Sequence, residues 1–213
     1  MENTVVIGEY APGVDVTELR EKVVPRLLAH SPNVLRVTAY RRLDGPDNYA
    51  YWLFVDLAVP QEAPAVAALV GESSAAAQAY HEVWRMARDE WGIGQRISSS
   101  AELETTPDSI LTVVLPVPAG KAAEWNRWYD GHHMPTVLQI APEIVVGHRY
   151  APISEPSTGD YLVLYEFSSR AALEEWQTGP TVAGKHHEYK EKWGVQNIRR
   201  AWVMEFRVER DDA

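Results

Sequence analysis

Tyr51-Trp52-Leu53-Phe54-Val55-Asp56-Leu57 is answered 110 positions later by Tyr161-Leu162-Val163-Leu164-Tyr165-Glu166-Phe167. Both are short apolar runs of strand length, aromatic at the start and with one carboxylate near the end. Two further echoes keep the same order along the chain. Pro25 in a helical stretch matches Pro135 in another, again 110 positions apart, and Asp89-Glu90-Trp91-Gly92-Ile93 matches Glu191-Lys192-Trp193-Gly194-Val195. Three echoes in order point to an internal duplication.

Working outward from those strands, each half reads as βαββαβ. In the second half, Ile110 to Pro116 is a buried strand, Gly120 to Ile140 a helix, Ile144 to Tyr150 and Tyr161 to Phe167 strands, Ala171 to Lys192 largely helical, and Ala201 to Val208 the last strand. In that last strand Trp202, Met204, Phe206 and Val208 are expected on one face. The first half reads Val5 to Tyr10, a helix from Thr17 to His30, Val34 to Arg42, Tyr49 to Leu57, a helix from about Ala63 to Trp91, and a weak strand near Arg96 to Leu103.

This series is the split βαβ, ferredoxin-like motif, a four-stranded antiparallel sheet with both helices on one face. Because Tyr161 to Phe167 is apolar on both sides of its pleat, the face away from the helices also needs a cover. The fold class expected is therefore α+β: two ferredoxin-like repeats, 1–105 and 106–213, forming an intramolecular α+β barrel. Thr105-Thr106-Pro107-Asp108-Ser109 serves as the linker. Fusion of the halves predicts a monomer that is its own pseudo-dimer and leaves further homodimerisation open.

Composition narrows the chemistry. The 213 residues, 46% of them hydrophobic and 23% charged, are those of a globular chain able to bury a core without staples. With no cysteine there is no disulfide framework, thiolate zinc site, iron–sulfur cluster or cysteine nucleophile. A formal net charge of −10 disfavours phosphate backbones and anionic lipid, so neither nucleic acid nor membrane is expected as a partner. Met1-Glu2-Asn3-Thr4 begins no basic-then-apolar leader, and no apolar run approaches a membrane span, so a cytoplasmic location is expected. Phosphate-binding glycine loops, G-x-S-x-G and H-E-x-x-H are all missing.

One segment concentrates reactive side chains: Trp125-Asn126-Arg127-Trp128-Tyr129-Asp130-Gly131-His132-His133-Met134-Pro135. At about 100° per residue, Trp125, Trp128, Tyr129 and His132 share one side, with His133 at its edge. The Pro135 ring clashes with the Gly131 carbonyl, so the helix must kink or restart there. Offset by 110, the first half has Glu18, Leu19, Lys22 and Val23 where the second has Trp128, Tyr129, His132 and His133. A cluster needed only for packing would persist in both copies; its presence in one alone predicts a single functional pocket, in the second repeat.

Trp128-Tyr129-Asp130-Gly131-His132-His133-Met134-Pro135, followed by Leu138, Pro142 to Tyr150, Tyr161 to Phe167 and Asn197-Ile198-Arg199-Arg200, resembles the EthD-like family of the dimeric α+β barrel superfamily over about residues 108 to 208. The resemblance puts the family's histidine on His133, its proline on Pro135 and its aromatic pair on Trp128 and Tyr129. Where the family usually has Pro-Gly before the second strand, this chain has Pro142-Glu143. The superfamily includes cofactor-free isomerases, cyclases, decarboxylases, dehydratases and oxygenases, and separate branches that bind haem.

A histidine suits proton transfer because its ordinary pKa near 6.5 lets it act as acid and base at neutral pH. The expected function is cofactor-independent acid–base catalysis (cyclisation, isomerisation, dehydration or decarboxylation) on a small, largely hydrophobic substrate of aromatic or polyketide-like kind. His133, Tyr129 and His148 are the expected catalytic residues; Trp128, His132 and Tyr150 would bind substrate. His148 and Tyr150 share a strand face, and Arg149 must point the other way. The plainer readings are that His133 only hydrogen-bonds the kinked backbone and that His148 is packing. Adjacent histidines on a helix diverge by about 100°, so neither His132-His133 nor His186-His187 chelates a metal readily, and no metal or cofactor is expected. The alternatives are a non-catalytic small-molecule carrier using the same pocket, or a haem protein.

Overall fold

In the computed structural model the described residues are 4–11, 13–43, 51–87, 107–118, 120–153 and 160–210. Strand β1 is Thr4–Tyr10. Helix α1 comprises an α turn Val16–Glu18, a π turn Leu19–Val23 and an α segment Val24–His30. Next come β2 (Val34–Arg42), β3 (Tyr51–Leu57), α2 (Ala63–Gly71) and β4 (Ala76–Ala87). The series repeats with β5 (Ser109–Pro116) and α3, which comprises Ala122–Trp128, a π turn Tyr129–His133 and Met134–Ile140. It closes with β6 (Ile144–Pro152), β7 (Asp160–Phe167), α4 (Arg170–Thr178), α5 (Pro180–Trp193) and β8 (Ile198–Glu209).

Two compact units emerge: Met1–Val83 with Ala151–Glu155 and Trp202–Ala213, and Trp84–Tyr150 with Pro156–Ala201. The complete hydrogen-bonded order, β1-β3-β2-β8-β5-β7-β6-β4, is that of a closed antiparallel α+β barrel, the class expected from the duplicated βαββαβ pattern.

The first unit shows why β3 is apolar throughout. Leu53 and Val55 join a core with Leu19, Val23, Val24 and Leu27 of α1 and Val66 and Val70 of α2. On the opposite face Trp52 and Phe54 are also buried, Trp52 lying 4.4 Å from Trp202 and Phe54 5.4 Å from Tyr40 between ring centroids. Each fully buried aliphatic of this kind contributes about 1.5–3 kcal/mol relative to exposure.

Two sequence expectations fail here. The helix read over Ala63 to Trp91 ends at Gly71, and Ala76–Ala87 is a strand paired antiparallel to β1, Val5 opposite Tyr80 and Ile7 opposite Gln78. Alanine favours helix by intrinsic propensity, but here the free edge of β1 overrides it, and Ala77 and Ala79 pack on the core as a strand face. The strand expected at Arg96 to Leu103, and the repeat segment Asp89 to Ile93, lie outside the described residues. Trp202, Met204, Phe206 and Val208 do not share one face either. A register shift between Ala39 and Tyr40 leaves Phe206 and Val208 packed on the helix-side core while Trp202 stacks on Trp52 across the sheet. Trp193 is buried; the Trp84 side chain and Trp91 lie outside the described set.

Candidate active site

Pro135 shapes the site. Proline cannot donate to a carbonyl one turn back, and its ring crowds that carbonyl. The helix answers with a π turn: the Met134 N–H bonds the Tyr129 carbonyl, five residues earlier. Pro25 does the same in α1, where the Val24 N–H bonds the Leu19 carbonyl. Residues in a turn closed this way advance by roughly 80° instead of 100°, so three steps carry a side chain about 120° from its starting direction instead of about 60°. Tyr129 and His133, four steps apart, share one buried side, at 1% and 6% exposure, while His132, three steps from Tyr129, is rotated outward. The α-helical wheel that put His132 on the shared side and His133 at its edge is corrected by the inserted residue. His132 is exposed and lies 3.4 Å from Glu188 of α5.

The buried side of α3 meets a cavity with about 400 Å³ of empty space, its open mouth included. Tyr129, His133 and Val137 face it from α3; Leu111, Val113 and Leu115, alternate residues of β5, form its floor. Tyr165 of β7, in register with Leu111, and Trp176 of α4 complete the walls. Asn197, just before β8, and Arg199, the second residue of that strand, bring further polar groups. Every lining residue belongs to the second unit. The cavity lies between that unit's sheet and its helices.

The hydroxyls of Tyr129 and Tyr165 are hydrogen-bonded at 3.2 Å in this wall. Burial pushes both phenols above their ordinary pKa, Tyr129 well above it. They remain protonated through the physiological range, so the pair is a fixed donor and not a base. His133 is packed between rings, its centroid 4.7 Å from Trp128 and 4.9 Å from Tyr129. Trp128 thus backs the imidazole instead of lining the cavity; Lys192 covers it from outside, 5.6 Å from its centroid.

His148 and Tyr150 are buried, stacked at 5.9 Å, and sit on the other face of the sheet. Strand alternation settles this. Gly147, opposite Tyr165, faces Met134 and Leu138 of α3, so its neighbour His148 faces away, with Nε2 3.2 Å from Glu166 Oε1. The expected grouping of His148 and Tyr150 with His133 is not what the chain forms. Arg149, by contrast, turns toward α3. It is 3% exposed, donates to both oxygens of Asp130 and to Asn126 Oδ1, and lies 5.3 Å from the ring centroids of Trp125 and Tyr161.

Tyr165, Trp176, Asn197 and Arg199, which line the cavity, were missed as site residues. Tyr165 has a sequence signal in hindsight, a hydroxyl within an otherwise apolar two-faced strand. Among the described residues no group of three or more His, Asp or Glu is placed to hold a metal ion. Haem does not fit the residues present, because His133, the one histidine lining this cavity, is flanked on two sides by aromatic rings that occupy the space beside the imidazole.

No known sequence-family profile matches the chain, and no curated protein matches it in sequence. Solved structures do match it in fold. An anthrone oxidase-like protein superposes with TM-score 0.62 at 10% identity, covering 99% of this chain and 94% of its own. A chlorite dismutase variant from Candidatus Nitrospira defluvii, in complex with cyanide, gives TM-score 0.59 at 10% identity over 96% and 91%. The heme-degrading enzyme of Listeria monocytogenes gives 0.50 at 9% over 94% and 98%. At such identities the likeness is one of fold: these are ferredoxin-like α+β barrels, and so is this chain.

Proposed function

We propose that the second unit is a cofactor-independent acid–base catalyst of EthD-like kind, acting on a small, largely apolar carbonyl compound by proton transfer at carbon. The observation that carries the reading is that His133 and the Tyr129–Tyr165 hydroxyl pair line one cavity. Two phenols hold two hydrogens, of which their mutual bond uses one; the other is available to a ligand oxygen. His133 takes a proton from the carbon next to a substrate carbonyl as that oxygen gains negative charge, the second phenol hydrogen stabilises the developing enolate, and imidazolium returns the proton to carbon or to a leaving group. Isomerisation, cyclisation, dehydration and decarboxylation all proceed through such an enolate. Trp128 holds the imidazole in place; His132, His148 and Tyr150 have no part in the reading.

The test is deuterium exchange into carbonyl probes such as 2-tetralone and benzoylacetone, followed by NMR in D2O with chelator present. Wild type is expected to accelerate exchange above buffer, and His133→Gln, which keeps hydrogen bonding but not proton transfer, to lose about 100-fold or more while melting within a few degrees of wild type. Exchange that survives His133→Gln, or needs a metal, overturns the proposal. A probe bound tightly and equally by both proteins without exchange makes this a carrier. A Soret band in the purified protein would restore the haem reading.

A further inference from the structure

The cavity is not uniformly apolar. Its floor is Leu111, Val113 and Leu115, yet a guanidinium residue also lines it: Arg199, the second residue of β8. Arg199 makes no ion pair with another described residue, although acidic side chains outnumber basic ones thirty to twenty in the chain. The contrast with Arg149 is instructive. Arg149 is buried more deeply but is satisfied by the Asp130 carboxylate and the Asn126 amide. Other partly buried arginines are also matched, Arg36 to Asp56 at 2.8 Å and Arg41 to Glu205. A guanidinium withdrawn from water without a counter-charge is costly, and the cost is offset when an anion arrives. Burial also pulls the Arg199 pKa down, as expected for a cation half-withdrawn from solvent with no carboxylate beside it.

Building on the cavity reading above, we infer that Arg199 is a specificity residue: the ligand of this cavity is a small apolar acid bound as its monoanion, with the carboxylate on Arg199 and the apolar body over Leu111, Val113 and Leu115. One guanidinium offers a planar fork that matches one carboxylate. The net charge of −10 works against multiply charged anions, so a single carboxylate on an apolar body suits the site better than a phosphate ester. Within the proposed chemistry, an acid held by Arg199 shares the cavity with His133 and the phenol pair.

Matched probes test this on the full chain. Dissociation constants of benzoate and phenylacetate, and of their neutral counterparts benzamide and phenylacetamide, are measured by isothermal titration calorimetry. Wild type is expected to prefer each acid over its amide by about 10-fold or more. Arg199→Gln should abolish that preference while leaving amide affinity within about two-fold, and Arg199→Lys should retain part of it. Equal affinity for acid and amide in wild type, a preference that survives Arg199→Gln, or no binding of any probe overturns the inference. His133→Gln separates the two proposals: with Arg199 intact it should keep the acid preference even where proton exchange is lost. A protein that selects acids through Arg199 but exchanges no proton sinks the catalytic reading and leaves this one standing.

Discussion

Arg149 and Asp130 meet fork to fork, Nε on Oδ1 at 2.8 Å and Nη2 on Oδ2 at 2.6 Å. The pair ties β6 to the second residue of the π turn, three residues before His133. It is the device that holds an irregular, proline-forced turn against the sheet. The arginine is almost wholly buried, so removing the carboxylate strands a desolvated charge, whereas removing both charges does not. Asp130→Ala is expected to destabilise the chain at the low end of the roughly 3–5 kcal/mol typical of a broken buried pair, since Asp130 keeps some solvent. Asp130→Ala with Arg149→Met should cost clearly less than the two single changes summed. Urea denaturation of the four proteins checks this; strict additivity would mean that the pair does not couple the turn to the sheet.

The Tyr129–Tyr165 pair makes a prediction about pH. Both phenols are favoured as neutral in the folded chain, chiefly by burial, so their folded pKa values lie above the ordinary value near 10. Their contribution is fully present below about pH 10 and is lost as pH rises toward the folded pKa, at up to about 1.4 kcal/mol per pH unit for each tyrosine. Wild type should thus lose stability more steeply above pH 10 than Tyr129→Phe with Tyr165→Phe. Denaturant midpoints between pH 8 and 11 measure both slopes. Parallel slopes would show that neither phenol is shielded.

Gly8 reports on the packing of the first unit. A Cβ built on it would overlap Val70 Cγ1, closer than real contacts allow, and would sit tightly against the Tyr10 ring at 3.2 Å. Strand β1 can run beneath α2 only because position 8 has no side chain. Gly8→Ala should cost about 1–3 kcal/mol by overpacking, and Val70→Ala in the same chain should recover part of that loss. Thermal or urea unfolding of the single and double variants decides it; a neutral Gly8→Ala would show that α2 shifts freely on the sheet.

How much of this was legible in the sequence depends on which force decided each element. The apolar periodicity of Tyr51–Leu57 and Tyr161–Phe167 is a core signal, and it led to the duplicated βαββαβ pattern and the α+β class. Ala76–Ala87 was illegible because its alanines carry helix propensity, and only the partner strand β1 reveals their strand role. The bulge that divides Met204 from Phe206 is set by pairing with β2 and leaves no mark in an alternating run. At the site, Pro135 announced an irregular helix, but choosing a kink, a restart or a π turn requires the i→i+5 bond, and that choice brought His133 inward and turned His132 out. Tyr165 and Arg199 come from strands distant in sequence, so their meeting with α3 is a tertiary fact.

His133 and His148 are both buried histidines of the second unit, and the sheet between them yields a sharp prediction. If the cavity beneath α3 is the working site, ligand reaches His133 and not His148, which looks from the opposite face toward Glu166. His148→Gln should leave proton exchange and probe affinity within about three-fold of wild type, while His133→Gln removes the exchange. Any effect of His148→Gln is expected in stability, because the change disturbs the contact with Glu166 and the stack on Tyr150. Exchange rates, probe titrations and melting curves for the two variants run side by side separate the cases. Loss of exchange in His148→Gln with wild-type behaviour in His133→Gln would move the chemistry to the far face of the sheet and refute the assignment of the site.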